Sequence, residues 1–92
     1  MNTSEKIQEI LRRELRATRV EVTDQSDLHA GHQQASGGGH YNITVVSPLF
    51  EGKKMIERHR MIYQSLAKEL QREIHALAIR AYSIPEFKES GG

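Results

Sequence analysis

The stretch from Lys53 to Ile79, KKMIERHRMIYQSLAKELQREIHALAI, constrains this chain more than any other. At about 100° per residue, Met55, Ile56, Ile62, Tyr63, Leu66, Ala67 and Leu70 fall on one side of a helix. Lys53, Lys54, Glu57, Gln64, Lys68, Gln71 and Arg72 fall on the other. The pattern predicts one long amphipathic helix that passes, after a short turn, into a buried strand. His59 lands within the apolar arc, with Arg58 and Arg60 on its flanks. The strand opens at Ile74-His75 and runs to about Tyr82.

The chain before this stretch adds a helix and two strands. Asn2 and Glu5 have the spacing of a capping box, and Ile7, Ile10, Leu11 and Leu15 form one apolar stripe, so a helix is expected to stop near Ala17. Arg19 to Thr23 alternates, with Val20 and Val22 facing one way. Residues 25–39 show no apolar period, contain His29, His32 and three consecutive glycines, and read as a mobile surface loop. His40 to Ser47 is a second strand with Tyr41, Ile43 and Val45 on one face, and Pro48 ends it. Phe50 is expected to plug the core. Ser83, Pro85 and Glu86 predict a last short helix, with residues 88–92 as a frayed tail.

The predicted order is therefore α-β-β-α-β-α in a single domain over residues 1–92. The fold class is α+β, a small mixed three-stranded sheet with helices on one face. The second and third strands flank a helix with short connections and are expected to be parallel with a right-handed crossover. The first and second are expected to pair antiparallel across the glycine-rich loop.

Composition narrows the function. With 13 basic and 12 acidic residues, any affinity for nucleic acid must come from a local patch. Such a patch lies between Lys53 and Arg72, where six residues are basic and two acidic. The absence of cysteine excludes a disulfide framework and a thiolate ligand or nucleophile from this chain. No apolar run approaches the ~20 residues of a membrane span, and the N-terminus lacks a signal-peptide core, so a cytoplasmic protein is expected. No nucleophile elbow, phosphate loop or zinc-binding helix motif is present, and a non-enzymatic role is expected.

On spacing alone, His29 and His32 read as two solvated imidazoles, and His75 as a core-edge histidine bonded to backbone. Their functional alternative is metal ligation, for which imidazole suits borderline metals including iron. Gly52, Lys53, Lys54, Arg58 and Arg60 read as a solvated rim or as a phosphate-binding turn and basic helix.

The residues also carry a family resemblance. Arg58-His59-Arg60-Met61-Ile62-Tyr63, Leu66, Glu69-Leu70 and Ile74 to Ile79 resemble the BolA family. So do His40-Tyr41, Val45-Val46-Ser47 and Phe50-Glu51-Gly52. The resemblance spans nearly the whole chain and implies a class II KH-like fold. It implies a monothiol glutaredoxin of the Cys-Gly-Phe-Ser type as partner, with a bridged [2Fe-2S] cluster shared between the two. In that arrangement the glutaredoxin cysteine and glutathione give thiolates, and the BolA-like chain gives a histidine that matches His75. The second ligand comes from the loop between the first two strands. In the histidine branch of the family it matches His29, with His32 as the alternative. The family is also linked to transcription regulation and stress response. The implied DNA contacts match Gly52, Lys53, Lys54, Arg58 and Arg60, on a face that could overlap the cluster face. Alone, the chain is expected to be a monomer or weak dimer without cofactor.

Overall fold

The computed structural model describes residues 2–25 and 39–91. Helix α1 (Thr3–Glu14) starts at the expected capping box. The Glu5 N–H donates to Asn2 Oδ1 at 2.8 Å and the Asn2 N–H to Glu5 Oε1 at 3.0 Å. It ends before Ala17 because Arg16 takes a left-handed φ of 53°, which no α-helix continues. Strand β1 (Arg19–Asp24) pairs antiparallel with β2 (Gly39–Val46), and β2 pairs parallel with β3 (Ile74–Tyr82). The strand order β1-β2-β3 puts β2 in the centre. Both pairings follow the alternation and short connections read from the sequence.

The core lies on one face of this sheet. Val20, Tyr41, Ile43, Val45 and Ala81 point into it and meet Ile7 and Leu11 of α1, together with Phe50, Ile62 and Leu66 from the segment after β2. Phe50 sits in a single 3₁₀ turn, Pro48–Phe50, and is fully buried. Ser47 caps this turn. Its buried Oγ accepts from the Leu49 N–H at 3.0 Å and donates to the Leu15 carbonyl at 2.6 Å, which ties the turn to the end of α1. The other sheet face carries Glu21, Thr23, Asn42, Thr44, Ala78 and Arg80 and is largely open. Helix α4 (Ile84–Glu89) covers one end of that face, where the Phe87 and Tyr82 rings lie 5.6 Å apart and the Arg19 guanidinium stacks over Phe87 at 5.3 Å. Its capping box, Ser83 with Glu86, is as expected, but α4 includes Lys88 and Glu89, which the sequence assigned to a frayed tail.

The long helix differs from expectation. It is two helices, α2 (Met55–Ser65) and α3 (Ala67–Arg72), with a break at Leu66, where ψ is 17°. The hydrogen-bond ladder bridges the break, from the Leu66 N–H to the Ile62 carbonyl at 3.0 Å and from the Leu70 N–H to the Leu66 carbonyl at 2.9 Å. Tertiary contacts hold the end of α3. The Glu73 carboxylate accepts from Thr3 Oγ1 at 2.6 Å and Lys6 Nζ at 2.9 Å, which holds its pKa down. The Glu73 carbonyl accepts from the Gly39 N–H at 2.8 Å. The end of α3 is thus pinned to α1 and to the start of β2. The buried stripe is also narrower than the apolar arc: Ile62 and Leu66 are fully buried, whereas Met55, Ile56 and Tyr63 remain 52%, 59% and 42% exposed. Among the described residues, no helix is long and apolar enough to cross a membrane.

Candidate functional site

The site begins with the phase of β3. Leu77, Ile79 and Ala81 pair with Tyr41, Ile43 and Val45 and share their inward face. Strict alternation back from Leu77 would turn His75 inward as well. A register shift intervenes: Gly39 is opposite Ile74 while His40 is opposite Ala76, so His75 is the extra residue of a β-bulge. The bulge exchanges the two sides. Ile74 takes the core position at 3% exposure, and His75 is left exposed at the start of the strand. The sequence reading of a buried strand is corrected accordingly, since β3 is an edge strand whose middle is half-buried.

His75 is not isolated. The His40 ring lies with its centroid 5.2 Å away and its plane tilted by 46°. His40 is half-buried and borders a shallow cavity of about 260 Å³ lined also by Gln25, Asn42, Ala76 and Ala78. The Gln25 N–H donates to the His40 carbonyl at 2.7 Å. His40 was not among the ligand candidates taken from the sequence. A signal for it existed, because two histidines near the starts of parallel neighbouring strands must come close. His29 and His32 lie outside the described residues. The described residues on either side of that segment, Gln25 and Gly39, both sit at the His40–His75 end of the sheet. No group of three or more His, Cys, Asp or Glu side chains that could hold a metal ion occurs among the described residues.

The basic surface is at the other end. Because β2 and β3 are parallel, the turn that follows Val46 lies by the end of β3, while His75 is at its start. Eight residues of β2 separate the two ends, roughly 25 Å of strand. The turn around Gly52 therefore does not overlap the imidazole end. Gly52 has a φ of 77°, a left-handed value that favours glycine, and no atom within 4 Å of where a Cβ would sit. Its identity is explained by the turn. Lys53, Lys54 and Arg60 are exposed, beside Met55 and Ile56. Glu57 reaches back to the Lys54 N–H at 2.8 Å and starts α2.

Arg58 departs from the rim expected of it. It is 4% exposed, turned inward over the Phe50 ring at 5.9 Å. Its Nε donates to the Lys53 carbonyl at 3.0 Å and its Nη1 to the Ala81 carbonyl at 3.0 Å. Both terminal nitrogens donate to the Glu86 carboxylate, at 2.6 and 3.1 Å. The guanidinium pulls the Glu86 pKa down to about 2, with help from the Ser83 N–H. Four of its five N–H donors are used inside the protein, so Arg58 joins α2, β3 and α4 and, buried, is turned away from any phosphate. His59, beside it, is half-buried.

Comparison with known proteins agrees with this fold. The family described as BolA-like protein matches residues 11–86. The protein named DNA-binding transcriptional regulator BolA from Escherichia coli (strain K12) is 39% identical over 88 residues, covering 96% of this chain and 82% of that one. SufE-like protein 1, chloroplastic/mitochondrial, of Arabidopsis thaliana is 42% identical over 82 residues, which are 83% of this chain but only 22% of that protein. The solved BolA domain of SufE1 from Arabidopsis thaliana superposes with a TM-score of 0.80 at 40% identity, over 94% of this chain and 98% of that one.

Proposed function

We propose, for a chain that belongs to the BolA-like protein family, a non-enzymatic role as iron–sulfur partner of a monothiol glutaredoxin. His75 donates an imidazole to one iron of a bridged [2Fe-2S] cluster, and His29 or His32 donates the second. The glutaredoxin cysteine and glutathione hold the other iron. The observation that carries this reading is the bulge. It spends an extra residue to hold His75 in solvent, at the end of the sheet where the segment bearing His29 and His32 leaves and returns. Imidazole in place of thiolate raises a cluster's potential and makes its retention sensitive to acid, which suits transfer or sensing of iron. The chain's own part is to present the His75 imidazole on a fixed strand, with the second ligand coming from the segment that bears His29 and His32, and to leave the rest of the coordination to its partner.

The test mixes the protein with a monothiol glutaredoxin, iron, sulfide and glutathione, and reads visible absorption and circular dichroism. A spectrum distinct from that of the glutaredoxin alone, abolished by His75→Ala, is expected. A spectrum unchanged by that substitution overturns the proposal.

A second reading, DNA binding, is favoured by the name of the Escherichia coli relative and by the exposed cations Lys53, Lys54 and Arg60 around the Gly52 turn. Three phosphate contacts give a salt slope of about −2 to −3 in log–log form. Lys53→Glu with Arg60→Glu should flatten that slope in gel shifts, and a double variant that retains full affinity and slope rules the surface out. Arg58 is excluded from this contact set by its internal bonds.

A further inference from the structure

The cluster reading does not use His40. We propose that His40 and His75 together form a two-imidazole site for a borderline divalent ion such as Zn²⁺, filled by the protein alone without a partner chain.

Spacing is the first support. With metal–nitrogen bonds of about 2.0–2.1 Å and a tetrahedral angle, two imidazoles on one ion have ring centroids roughly 5 Å apart. The His40 and His75 centroids are 5.2 Å apart, and their 46° tilt is far from a parallel stack. Preorganisation is the second. His40 is on the central strand, its carbonyl held by the Gln25 N–H at 2.7 Å, and Gly39 just before it is tied to Glu73 at 2.8 Å. His75 follows Glu73 by two residues and is set by the bulge. Little ordering is therefore needed on binding. Access is the third, because His75 is exposed and His40 half-buried. Each ring needs only one nitrogen for the ion and keeps the other for a hydrogen bond. Two nitrogens complete half of a tetrahedral set. Water fills the remainder, so the ion stays exchangeable and open to a third ligand from another molecule.

The site shares His75 with the cluster reading, but its test needs no glutaredoxin. Zn²⁺ is titrated into the metal-free full-length protein while the five histidine rings are followed by long-range proton–nitrogen NMR. The His40 and His75 ring nitrogens should shift together and saturate at one equivalent. Loss of an outer-shell partner alone costs a metal site about 10–100-fold in affinity. Loss of a ligand in His40→Gln or His75→Ala should therefore weaken Zn²⁺ binding by about tenfold or more, with the backbone amide spectrum preserved. His29→Ala and His32→Ala should leave both shifts in place. A His75 response that persists unchanged in His40→Gln, or a response confined to His29 and His32, overturns the proposal. If no mixed cluster forms with glutaredoxin while Zn²⁺ still saturates the pair, only the cluster reading fails. The converse result removes only this site.

Discussion

Replacing Arg58 by methionine tests whether this arginine is structural. Methionine keeps the apolar stem but donates nothing to the carbonyls of Lys53 and Ala81 or to Glu86. Breaking a buried ion pair by removing one member typically costs about 3–5 kcal/mol. Here the partner is only half-buried: the Glu86 side chain is 48% accessible against 5% for Arg58, so its carboxylate regains water when the arginine leaves. The cost that remains is mainly the two backbone carbonyls, each losing a charged donor worth about 1.5–3 kcal/mol, partly offset by the buried thioether. The expected net loss is about 2–4 kcal/mol. For a domain of this size each kcal/mol moves Tm by about 4–8 °C, so a fall of roughly 10–25 °C is expected. Urea unfolding followed by circular dichroism measures the change directly. Glu86→Gln should be milder, because Arg58 keeps both carbonyl bonds. If Arg58→Met loses less than about 1 kcal/mol, the side chain is not the internal tie described here and its assignment to the surface must be reopened.

Other expectations follow from the same contacts. Glu86, with its pKa held near 2 against an ordinary 4.5, contributes stability that is complete above pH 4.5 and lost as pH falls toward 2. In Arg58→Met the Glu86 carboxyl signal in carbon NMR should titrate higher, and an unmoved titration contradicts the assigned cause. Leu66→Ala should cost about 2–5 kcal/mol because Leu66 is fully buried at the helix break, whereas Ile56→Ser should stay within about 0.5 kcal/mol. Equal losses in the two would mean that the break does not set which apolar residues are inside. Ser47→Ala should cost about 1–2 kcal/mol by stranding the Leu15 carbonyl and the Leu49 N–H, as read by thermal unfolding.

Much of the fold was legible because its signals are local. Asn2 with Glu5 and Ser83 with Glu86 close the capping boxes their spacing announced. The alternation of Tyr41, Ile43 and Val45 gave the buried face. The failures were all tertiary. No proline or glycine interrupts Lys54 to Arg72, so nothing local marks the break at Leu66, and the bonds that hold the end of α3 at Glu73 come from Thr3 and Lys6 some seventy residues earlier. Arg58 looked like a rim cation because its acceptors, Ala81 and Glu86, are distant in the chain. His75 was identified through resemblance, but its exposure depends on a register shift that alternation cannot reveal. The approach of His40 required combining two strand predictions that were made separately.

The extra residue at position 75 also has a consequence for solubility. Strand β3 borders the sheet, and an uninterrupted border of backbone donors and acceptors is a template on which further copies can stack. The bulge interrupts that template at its leading end, and the exposed charge of Arg80 guards it further along. Deleting one residue there would straighten the border as well as turn the imidazole inward, leaving an unbroken edge on which further copies could pair.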